Sequence, residues 1–105
     1  MLELDRAKAA NFEPLLHTQF RLIPDPSSSF DLELVEVTER VRTSAGSGRS
    51  PFVLLFRGER DPVHSPQMYQ IEHDVLGSMD LFISPVRADQ NGCYYEAILD
   101  RKSVV

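Results

Sequence analysis

Phe30-Asp31-Leu32-Glu33-Leu34-Val35-Glu36-Val37 carries the architecture of this chain. Apolar residues recur at every second position up to Leu34, slip by one at Leu34-Val35, and then resume. A period of two belongs to a strand with one buried face. Two adjacent apolar residues inside such a strand predict a β-bulge or a sharp bend. Strong bending is how a small sheet curls on itself.

The same period extends in both directions. Upstream, Gln19-Phe20-Arg21-Leu22 alternates, and Pro24-Asp25-Pro26-Ser27-Ser28-Ser29 reads as a turn. Downstream, Pro51 leads into Phe52-Val53-Leu54-Leu55-Phe56, apolar on both faces and therefore expected to be central. Arg57 to Pro62 is a charged turn and Val63 to Pro66 is irregular. Met68 to His73 and Ser78 to Ile83 are the next strands, joined through Val75-Leu76-Gly77, and Pro85 is expected to stop the second. Ala88-Asp89-Gln90-Asn91-Gly92 is a hairpin turn, with Asn-Gly supplying positive φ, before the last strand, Tyr94 to Leu99.

Six strands with hairpin-length links and no crossover helix predict a mostly-β domain. The simplest arrangement is a consecutive antiparallel meander forming a small barrel or a strongly curled sheet. One short N-terminal helix is expected within 5–16, with Asp5 as N-cap and Pro14 ending it near Glu13. It is too short to stand alone, so it should dock on one open end of the sheet. The Gly/Ser stretch at 43–51 is expected to be a flexible loop and 101–105 a frayed tail. All of 1–105 forms one domain.

Bulk properties narrow the function. The formal net charge of −5 disfavours phosphate backbones and anionic membranes, so neither nucleic acid nor membrane is an expected partner. The only cysteine, Cys93, excludes an internal disulfide and fits a reducing compartment. Charged residues within Met1–Lys8 leave no apolar run for a signal peptide, and Phe52–Phe56 is too short to cross a bilayer. A cytoplasmic location is the expectation.

Leu32-Glu-Leu-Val-Glu-Val, Phe52-Val-Leu-Leu-Phe-Arg-Gly, Tyr69-Gln-Ile-Glu-His, Leu76-Gly, Leu81-Phe-Ile-Ser-Pro-Val and Tyr95-Glu-Ala-Ile together resemble an uncharacterised bacterial family. It is a domain of unknown function found as small stand-alone proteins. The resemblance runs from Phe12 to Leu99. It implies no activity or catalytic residue, and it implies a setting near phage-tail-collar-like proteins. This chain carries an added Gly/Ser insert after Val41.

No chemical constellation stands out. Glu72-His73-Asp74 invites acid–base chemistry, but neighbouring strand residues face opposite sides, and a lone histidine is more often a satisfied core residue. His17, His64 and His73 lack the close pairing of zinc ligands. Cys93 has no adjacent base. The Gly/Ser loop lacks the lysine and following helix of a phosphate-cradling loop. No catalytic residue, metal site or cofactor is therefore assigned. Arg57 and Arg60 lie in the densest charge cluster and could grip a carboxylate or phosphate, although a solvated turn explains them as well.

Two readings remain. The first is a non-enzymatic protein-interaction or assembly module, self-association included, using the strand Met68–His73 and the turn Arg57–Asp61. The second is a small-ligand-binding barrel or enzyme using Arg57, Glu72 and His73. The candidate ligand- or partner-binding residues are thus Arg57, Arg60, Tyr69, Glu72 and His73.

Overall fold

The computed structural model describes residues 9–39, 52–61 and 63–99. Six strands form in chain order: β1 (Gln19–Asp25), β2 (Ser28–Glu39), β3 (Phe52–Gly58), β4 (Gln67–His73), β5 (Gly77–Asp89) and β6 (Gly92–Leu99). They close into an antiparallel barrel in the order β1-β2-β3-β6-β5-β4. The mostly-β class, antiparallel pairing and closure match the sequence reading. The strand order departs from a consecutive meander at one place: β3 pairs with β6 rather than β4. The barrel is thus two three-stranded meanders joined along two seams, β3–β6 and β1–β4.

The middle strand of each meander is long and bulged, and it changes partners along its length. β2 pairs with β1 up to Glu33 and with β3 from Glu33 onward. β5 pairs with β4 up to Ile83 and with β6 from Ser84. Val35 is the extra residue in β2, lying between the Leu34↔Phe56 and Glu36↔Leu55 pairs. This is the bulge foreseen from the phase slip, and it restores Val37 to the packed inner side. A second bulge, at Val86, lets β5 run through Pro85 to Asp89. Pro85 therefore does not end the strand. It lies where β5 has already left β4, so its missing N–H breaks no β4 ladder.

The hairpin turns are tighter than the sequence suggested. Asp25 pairs with Ser28 and Asp89 with Gly92, leaving only Pro26-Ser27 and Gln90-Asn91 as loops. In both, the leading aspartate accepts a backbone N–H two residues on: Ser27 at 2.9 Å and Asn91 at 2.7 Å. Positive φ falls on Gly92, the first residue of β6, and not on Asn91. A side chain at Gly92 would meet the Gly58 carbonyl oxygen at 2.2 Å.

Phe20, Leu22, Leu32, Leu34, Leu54, Phe56, Ile71, Ile83 and Tyr95 are all buried and fill the interior. Phe20 meets Phe56 edge-on at 5.2 Å. A barrel of so few strands has room for side chains and little else.

Of the expected N-terminal helix, the described residues hold one α-turn, α1 (Ala9–Phe12), which passes into a 3-10 turn at Glu13–Leu15 that carries Pro14 in its first turn. α1 still serves as a plug, because Phe12 is buried against Phe52 with ring centroids 5.6 Å apart. Asp5, the 43–51 loop and the 101–105 tail lie outside the described residues. No helix among the described residues is long and apolar enough to cross a membrane.

Candidate functional site

The alternation of each strand sorts the candidate residues onto different faces. Tyr69, Ile71 and His73 of β4 point inward, while Gln70 and Glu72 point outward. Arg57 points outward from β3 and lies opposite Glu33 of β2. Glu72 lies opposite Arg21 of β1, three strands around the barrel from Arg57. Arg57, Glu72 and His73 therefore do not converge on one substrate.

His73 is locked as a structural group. Its Nδ1 accepts the backbone N–H of Val75 at 3.0 Å and that of Leu76 at 3.4 Å. An accepting Nδ1 leaves the ring proton on Nε2, which donates to Thr18 Oγ1 at 3.0 Å. The Thr18 hydroxyl in turn donates to the Leu15 carbonyl at 2.6 Å. One neutral imidazole thus organises the β4–β5 turn and ties it to the segment before β1. Burial, with Phe20 stacked 4.4 Å away, holds its pKa below the ordinary 6.5.

Tyr69 is likewise architectural. Its hydroxyl donates to the Ser65 carbonyl at 2.7 Å and pins the segment after β3. In that segment, the His64 backbone N–H donates to the Tyr95 hydroxyl at 3.0 Å. The His64 ring packs on Phe30 at 4.6 Å and Tyr95 at 5.8 Å. His64 covers the end of the barrel opposite Phe12, and burial lowers its pKa too. Burial also pushes the Tyr95 phenol up to about 12. A shallow cleft of about 220 Å³ remains beside it, between Phe30 and Glu59.

On the outside, Arg57 Nη2 donates to Glu33 Oε1, and His17 Nδ1 lies 3.1 Å from Glu33 Oε2. The His17 bond first, and Arg57 second, hold the Glu33 carboxyl below its usual range. His17 takes a positive φ of 68°, a strained setting for a residue with a side chain. From sequence, His17 enters only as a rejected metal ligand, and Glu33 is not singled out as a site residue. The bulge after Leu34 was the available signal, since the register before it brings Glu33 opposite Arg57. Glu72 and Asp74 both pair with Arg21, at 3.6 and 3.0 Å. Arg60 is exposed on the turn after β3.

The least satisfied surface is the outer face of β4 and β5. Met68 and Phe82 lie directly opposite each other across that pair, 60% and 53% exposed. Beside Met68 the barrel wall opens. The β1–β4 ladder stops at Ile23↔Gln70, and a groove of about 560 Å³ follows. Its walls are Ile23 to Pro26 on one side and Met68 to Gln70 with Glu72 on the other.

No curated protein and no solved structure matches the chain. The family described as "Domain of unknown function (DUF6916)" matches residues 7–99, nearly the whole of the barrel and its plug, and the chain belongs to that family.

Proposed function

We propose that this chain is a non-enzymatic docking and assembly module that holds a protein partner against the outer face of β4 and β5. The observation that carries the reading is the Met68–Phe82 pair, two large apolar side chains side by side in solvent. Apolar neighbours exposed together on a strand face mark interaction surfaces more often than single exposed residues do. The packed interior and the separation of Arg57, Glu72 and His73 favour docking over a barrel-mouth binder or an enzyme.

The reading sets the protein in the bacterial cytoplasm, where a lone thiol such as the buried Cys93 stays reduced. Components of phage-tail-like assemblies are the first partners to test. The net charge of −5 argues against nucleic acid and membrane partners.

The experiment is a pull-down from the native host paired with light scattering, using the wild type and Phe82→Asp. The expected result is a partner, or a self-associated state, that is lost in the variant. A strict monomer that captures nothing, or a partner held equally by both proteins, would overturn the reading.

A further inference from the structure

We infer that the partner contributes an extended, basic segment that adds to β4 as a further strand along the open seam with β1. The inference rests on the docking reading above and names the chemistry of what docks.

The β1–β4 ladder runs through Arg21↔Glu72, Leu22↔Ile71 and Ile23↔Gln70 and then ends. β1 continues with Pro24, and Pro26 follows in the hairpin loop. Neither has an N–H to give a neighbouring strand. The ladder with β2 also carries an extra β1 residue between Leu22 and Asp25, which bends the hairpin at this point. Two independent features therefore part β1 from β4. Gln67 to Tyr69 keep β5 on one side through Gln67↔Ile83, Met68↔Phe82 and Tyr69↔Leu81, while the groove lies on the other.

An unpaired strand edge calls for backbone N–H and C=O groups, which an extended peptide supplies. The lining chooses among peptides. Ile23, Pro24, Pro26 and Met68 are apolar, and the charged groups on its walls are the carboxylates of Asp25 and Glu72; Arg21, which pairs with Glu72, also serves Asp74, so acid stays in excess among the described residues. The Ser27 hydroxyl first, then its backbone N–H, holds the Asp25 carboxyl below its ordinary 3.8. Charge complementarity thus selects alternating apolar and basic residues. It also disfavours a second copy, which would bring its own net charge of −5 against these acids. The described chain ends lie far away, because Leu99 pairs with Phe52 beside the Phe12 plug, at the other end of the barrel.

The probe is a displayed library of random peptides of about ten residues, the upper range of a single strand. The best binder is then synthesised in two further forms, N-methylated at alternate backbone nitrogens of one edge or of the other. Strand addition predicts that enriched sequences alternate apolar residues with Lys or Arg and avoid proline. It also predicts that methylating one edge weakens binding about tenfold or more, while methylating the other changes it less than about twofold. Amide exchange at Gln67–Gln70 should slow in the complex.

No enrichment, equal sensitivity to both methylations, protection elsewhere, or a second copy filling the groove would overturn the inference. If Phe82→Asp still abolishes partner capture while both methylated peptides bind alike, docking stands and strand addition falls. If capture survives Phe82→Asp, the docking reading itself has failed.

Discussion

The two seams that join the meanders use the same antiparallel geometry and differ in how far they close. β3–β6 zips without interruption from Phe52↔Leu99 to Gly58↔Cys93. β1–β4 stops after Ile23↔Gln70 and leaves a groove. The closed seam is built mainly from aromatic and aliphatic residues, contains no proline, and has a glycine at Gly58 and Gly92 where the two backbones crowd. The open seam has Pro24 and Pro26 at the point where the ladder gives out. One seam is zipped along its whole length, and the other closes only in part.

Breaking the closed seam should do the most damage. Phe56→Ala empties a fully buried site on β3 and should cost about 3–5 kcal/mol, read as a fall in the urea midpoint. Gly92→Ala should approach that effect, about 3 kcal/mol, because its φ of 147° and the Gly58 carbonyl 2.2 Å from the new methyl leave no room for it. A loss under about 1 kcal/mol in both would mean that β3–β6 is not the structural seam.

Acid should produce a smaller effect, centred on the turn next to the open seam's tight end. His73 and His64 have pKa values lowered by burial, so below pH 6.5 the unfolded chain takes up protons that the folded sites refuse. Stability should be full above pH 6.5 and fall as the pH drops below it. Asp25 and Glu33, also lowered, give stabilisation that is full above their ordinary 3.8 and 4.5 and is lost only as the pH falls below those values. His73→Gln should flatten the slope of the urea midpoint between pH 7.5 and 5. An unchanged slope would count against the neutral, doubly capped imidazole.

Closing the open seam should be nearly neutral for folding. Pro24→Thr returns an N–H to β1 and should change stability by less than about 1 kcal/mol, while slowing amide exchange at Gln67–Tyr69. Exchange already as slow there as in β3–β6 would mean the seam is not open. The smallest effect belongs to Met68→Asp, an exposed site expected to stay within about 0.5 kcal/mol of the wild type by thermal melting, yet to lose the partner.

Much of this could be read directly from the chain. The slip at Leu34-Val35 located the β2 bulge, the alternation placed Tyr69, Ile71 and His73 on one face, and Phe12 with Pro14 marked a short plug. These are local matters, because a period of two reports which side of a strand is buried. That signal is silent about which strand lies alongside. β3 paired with β6 rather than β4, and β5 ran on past Pro85, because the proline falls where β5 has already left β4.

The candidate residues divided the same way. A strand's facing could be read for His73, but its hold on the β4–β5 turn and on Thr18 could not, since those partners meet only after the barrel closes. Glu33 meets Arg57, and Met68 stands beside an open groove, for the same reason. Sequence by itself determined the strands, their buried faces and the acidic balance, each set by neighbours along the chain. Only the tertiary structure decided strand order, the sealed and open seams, and the pairing of Met68 with Phe82, because hydrogen bonds between strands join residues far apart in the chain.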